Sequence, residues 1–152
     1  MITVDADGNT LHPHEATPTP ISTEGLRVLA GWVPRLASPD LDFGHWVISG
    51  PDQDGAMQMP WYDYSPDALR FMADASGAGF VQPFDWMAWM VTPEARALTA
   101  DPTRVATVDG EDLRRVLTAI IRGDRFMEGN VVAAFETGML LAIARRARAL
   151  LG

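Results

Sequence analysis

Between Arg122 and Leu151 the chain reads RGDRFMEGNVVAAFETGMLLAIARRARALL, its longest apolar-periodic stretch. Val131, Val132, Phe135, Met139, Ile143 and Leu150 recur at helical steps, and alanines with Leu140 and Leu141 fill most of the remaining circumference through Ala144. A helix apolar all round belongs in a core. Gly123 can close the preceding helix in a left-handed conformation and Asp124 can accept from the next free N–H groups, so the pattern predicts one helix starting near Asp124. The apolar run is shorter than the roughly 20 residues a bilayer span needs. The expected fold is therefore mainly α with a small β-hairpin (α+β), a single helical domain around a buried C-terminal helix.

Arg122, Arg125, Glu128 and Glu136 lie in or beside this stretch, where a buried charge would need a partner. Arg125 and Glu128 are three apart and share a helix face, and Arg122 leaves the previous helix at the same corner. One reading is a structural ion pair that fixes how two helices join; the other is a ligand-binding arginine or carboxylate. Breaking a buried pair costs about 3–5 kcal/mol, against about 1 or less for an exposed one.

The runs RGDRFMEG (122–129) and TGMLLAIARRA (137–147) resemble an uncharacterised bacterial domain-of-unknown-function family, which carries an Arg-Phe-x-Glu-Gly signature ahead of a Gly-Leu-Leu helix. A looser likeness extends back to about Trp46, through YSPDALRF and the step from Phe84 to Trp86, and leaves residues 1–40 unmatched. The resemblance implies no activity, because the family has none established.

A chain of 152 residues can bury a sizeable core as one domain. Residues 1–22 read as an arm or hairpin, and 23–152 as one globular domain. With no cysteine, disulfides, thiolate metal sites and cysteine nucleophiles are excluded. The N-terminus shows no secretory pattern, so a cytoplasmic location is expected. A net charge of −8 argues against a general nucleic-acid or anionic-membrane binder. All twelve basic residues are Arg, and residues 1–64 hold nine acids against Arg27 and Arg35.

ITVDADGNTLH predicts a hairpin turning at Asp7-Gly8-Asn9. Its acid spacing fails the calcium-loop pattern at Thr3 and His14, and His12-Pro13-His14 reads as a solvated linker rather than a metal site. Leu26, Leu29, Val33 and Leu36 keep helical spacing, with Pro34 ending or kinking the helix near Trp32. FGHWVIS and AMQMPWY alternate about the turn cluster GPDQDG, predicting a hairpin that lays Trp46, Ile48, Met57, Met59 and Trp61 on the helices. Ser65-Pro66, Asp85, Thr92-Pro93 and Asp109 each open a helix, with Phe84 folding onto Trp89 as a staple. Leu113, Val116, Leu117, Ile120 and Ile121 face the core, and the last two helices are expected antiparallel across residues 122–124.

No phosphate loop, HExxH pair or GxSxG elbow is present, and His45 is the only histidine outside the arm. Glu128 and Glu136 lie about 12 Å apart along one helix axis, too far for a glycosidase pair. Whether the chain is an enzyme stays open, and no cofactor or metal is called for. The dense aromatic set around Asp85, Trp86 and Trp89 is either a core corner or the wall of a ligand pocket. Arg114, Arg115, Arg145, Arg146 and Arg148 could group on an antiparallel hairpin and receive a phosphate or an acidic partner, or serve only to favour helix C-termini.

The leading expectation is a small domain acting through association with a protein partner or with itself, because Trp and Arg are enriched in interface hot spots. The alternative is a small-ligand-binding protein or enzyme using the Arg122/Arg125/Glu128 cluster. The candidate binding residues are Arg122, Arg125, Glu128, Glu136, Asp85, Trp86 and Trp89.

Overall fold

The computed structural model describes residues 3–4, 10–11, 20–48, 50, 54–56 and 59–152. Within them the chain is mainly helical with antiparallel hairpins. In the arm, β1 (Thr3–Val4) pairs with β2 (Thr10–Leu11), Thr3 opposite Leu11. The expected turn at 7–9 and the His12-Pro13-His14 segment lie outside the described residues.

Five helices begin at side-chain caps that the sequence marks. Ser22 Oγ accepts from Gly25 N at 3.0 Å to start α1 (Thr23–Ala30). The chain turns at Gly31 and Trp32, and Pro34 then occupies the first turn of α2 (Val33–Leu36), where its missing N–H costs nothing. Ser65 caps α3 (Pro66–Gly77), Asp85 caps α4 (Trp86–Met90) and Thr92 caps α5 (Pro93–Ala100). Asp109 caps α6 (Gly110–Gly123), accepting from Asp112 N at 2.8 Å. Between α5 and α6, Asp101 accepts from Thr103 N and opens a 3-10 helix, Pro102–Thr107.

The predicted single C-terminal helix is corrected. Residues 124–129 form turns, α7 runs Asn130–Glu136, and α8 runs Met139–Leu151. Gly123 ends α6 in helical conformation; the left-handed residues are Gly129 (φ 81°) and Gly138 (φ 84°), each standing just before a helix. A continuous rod would force both glycines into helix interior, at a cost of roughly 1 kcal/mol each. The break lets α7 turn away while α8 keeps the central place. Leu140, Ile143, Ala144 and Ala147 are fully buried, and α8 packs against α1, α2, α6, α7 and the 3-10 helix. Burial of the Leu140 and Ile143 side chains contributes roughly 1.5–3 kcal/mol each. The expected two-helix hairpin is thus a three-helix arrangement, with α6, α7 and α8 in mutual contact.

The second hairpin is also shifted. β3 (Gly44–Val47) pairs with β4 (Trp61–Tyr64), setting Trp46 opposite Tyr62 and Gly44 opposite Tyr64. Pro60 has no N–H to give, so the ladder starts after it and runs to Tyr64. Tyr62 is buried and Tyr64 partly buried on the inner face, where the Trp46 ring meets Tyr62 edge-on, but Trp46 and Trp61, both expected on the helices, stay half exposed. Ile48 and Met59, expected on the helices, are 75% and 85% exposed, and Met57 lies outside the described residues.

Candidate functional site

The shifted hairpin is tied to the turn before α7 by polar contacts. Glu128 Oε1 accepts from Tyr62 N at 2.8 Å. The Tyr64 hydroxyl donates to Asp124 Oδ1 at 2.5 Å and accepts from Val132 N at 3.3 Å, while the same Asp124 oxygen accepts from Val131 N at 3.0 Å. Glycine at position 129 offers α7 no capping side chain, so Asp124 and Tyr64 together serve its first free N–H groups. Burial, then the hydrogen bond to Asp124, pushes the Tyr64 phenol well above its ordinary value. Burial, followed by the charges of Glu136 and Asp42, raises that of Tyr62.

Asn130 Nδ2 donates to Ile120 O at 2.8 Å and holds the start of α7 on the end of α6. On α6, Arg114, Thr118 and Arg122 follow one another at steps of four and meet the segment from Phe80 to Trp86. Thr118 Oγ1 donates to Phe80 O at 2.7 Å, and the Arg114 guanidinium lies 5.3 Å from the centre of the Phe84 ring. Asp85 accepts from Ala88 N, and Phe84 meets Trp89 edge-on at 6.1 Å, forming the predicted staple.

This packing leaves an open cleft of about 470 Å³ at the molecular surface. Pro83, Phe84, Trp86 and Met87 line one side; Arg122, Arg125 and Phe126 line the other. The Trp86 and Phe126 rings are 5.9 Å apart. Phe126 is 71% exposed, Met127 66% and Met87 51%, an unusual density of large apolar side chains at one corner. Arg122 and Arg125 are exposed and form no ion pair among the described residues.

The predicted site residues thus divide. Arg122, Arg125 and Trp86 meet at the cleft, with Asp85 capping the helix that carries Trp86. Trp89 packs on the core. Glu128 turns to the hairpin, and Glu136 is exposed at the end of α7. The expected Arg125–Glu128 ion pair does not form, because the two residues sit in turns rather than on one helix face. Phe126, Met127 and Met87 were missed. An adjacent Phe-Met pair within the charged run RGDRFMEG was the available signal.

The five arginines anticipated as one patch are also divided. Arg114 is 1% exposed, with Nη2 donating to Glu111 and with Nε and Nη1 unpartnered. Arg115 pairs with Glu111 and Asp112, and Arg146 Nε donates to Val108 O. Arg145 and Arg148 are exposed. Among the described residues no group of three acids or histidines is placed to hold a metal, and no helix is long and apolar enough to cross a membrane. His45, on the hairpin's outer face, has Nε2 3.8 Å from Asp63 Oδ2.

A model described as a family of unknown function (DUF6508) matches residues 21–152, reaching about 25 residues further toward the N-terminus than the likeness read from the motifs. No curated protein and no solved structure matches the chain.

Proposed function

We propose that this chain, which belongs to the family of unknown function DUF6508, is a protein-association domain whose docking face is the cleft between Trp86 and Phe126. The observation that carries the reading is the coincidence of exposed Phe126, Met127 and Met87 with two arginines that no acid neutralises among the described residues. Exposed apolar area alone favours any greasy partner. The unpaired guanidinium groups select among them, because a partner that buries Arg122 and Arg125 must supply carboxylates or leave charges desolvated. The partner that fits is an acidic segment bearing an aromatic or aliphatic anchor for the Trp86–Phe126 gap.

Selection of random displayed peptides on the full chain tests this. Binders should carry acids beside a large apolar residue, and should weaken at least about tenfold when Arg122 and Arg125 are both changed to Glu. Binders without acids, or indifferent to that double substitution, overturn the proposal. A concentration-dependent dimer that the same substitution dissolves would make a second copy of the chain the occupant.

The volume of the cleft, about 470 Å³, also supports a small-ligand reading, since binding pockets span about 300–1,000 Å³. A metabolite screen by thermal shift should then yield a hit that Arg125→Gln abolishes. With Glu128 engaged on Tyr62 N, a hit lost only in Glu128→Gln would point to the hairpin instead.

A further inference from the structure

A second groove, between the 3-10 helix and α8, carries chemistry that the docking face does not use. Gly138, Leu141, Ala142, Arg145, Arg146 and Ala149 line it and alternate in steps of three and one, the rhythm of a single helix face about 16 Å long. Pro102, Thr103 and Ala106 form the facing wall around about 470 Å³. The small side chains at 106, 142 and 149 leave the groove open, and Leu141 makes its floor apolar.

The cationic part is built. Arg146 Nε donates to Val108 O at 2.7 Å, which fixes the guanidinium and leaves its Nη donors unpartnered among the described residues. Arg145 beside it is exposed and forms no ion pair among those residues. We propose that this groove binds an amphiphilic carboxylate. The apolar body lies along Ala106, Leu141 and Ala142, and the carboxylate meets the Arg145 and Arg146 guanidinium groups. Guanidinium and carboxylate match in planar two-bond geometry, so a tethered arginine loses little freedom on binding. An inorganic anion would leave the apolar wall unused, and a neutral chain would leave two cations unanswered.

Decanoate, decanol and inorganic phosphate, each titrated into the full chain and followed by backbone amide NMR shifts, test the assignment. Decanoate should give saturable shifts confined to 102–108 and 138–149. Decanol and phosphate should bind at least about tenfold more weakly. Arg145→Gln, at an exposed position, should reduce decanoate toward decanol. Ala106→Trp, also exposed, should fill the groove and abolish binding while the protein keeps its melting temperature. The proposal fails if decanoate binds no better than decanol or phosphate, if shifts spread over the molecule as for a detergent, or if both variants bind normally.

Discussion

Gly129 is doubly constrained. Its φ of 81° is a conformation other residues adopt at a cost of roughly 1–2 kcal/mol, and an added Cβ would stand 2.6 Å from the Trp46 ring. Gly129→Ala should therefore lower unfolding free energy by about 2 kcal/mol or more in urea titrations, and free Trp46 to move, which its fluorescence would report. Tyr64 makes a different demand. Its raised pKa means that its contribution is intact below the unfolded value near 10 and is lost as pH rises through the folded one. The stability gap between wild type and Tyr64→Phe should be level up to about pH 10 and narrow above it; a gap that widens in alkali would contradict the Asp124 contact. Arg114 has one bond where a buried guanidinium can make five. Arg114→Met removes one partner of its pair, but Glu111 is 34% exposed and keeps Arg115 at 3.3 Å, so no charge is stranded in the core. Arg114→Met should thus melt close to the wild-type temperature, and a large fall would mean that the Phe84 contact matters more than the missing bonds.

At the scale of elements, caps were legible because an N-cap needs one short polar side chain immediately before a helix, a purely local requirement. Ser65, Asp85, Thr92 and Asp109 all act as read. Asp109→Ala should cost about 1 kcal/mol by denaturant titration, with α6 amides near 112 exchanging faster. α7 escaped the same reading because its N–H groups are served by Asp124 and by Tyr64, a residue sixty positions away from that aspartate. Periodicity alone cannot place a break at Gly138, since α7 and α8 are each apolar on the side that packs and join into one seamless pattern. The β4 register was misread for a comparable reason. Alternation through Met57, Met59 and Trp61 was regular, but Pro60 ended it, and the tyrosines beyond found hydrogen-bonding partners inside the molecule.

Across the whole molecule, Arg122, Arg125 and Trp86, which the sequence singles out, line one cleft together. Phe126→Ser tests whether that corner serves association rather than folding: at 71% exposure it should shift stability by less than about 0.5 kcal/mol while weakening peptide binding. Loss of stability instead would place Phe126 in the fold. Amphipathic spacing, capping residues and the central place of α8 were determined by the sequence itself, because each depends on neighbours within a few turns of chain. Which charges go unpaired, where Glu128 turns, and which strand face is wetted were decided only by tertiary structure. Those outcomes depend on groups brought together from distant positions: with residues 124–129 in turns rather than helix, Arg125 lines the cleft and Glu128 reaches Tyr62 N.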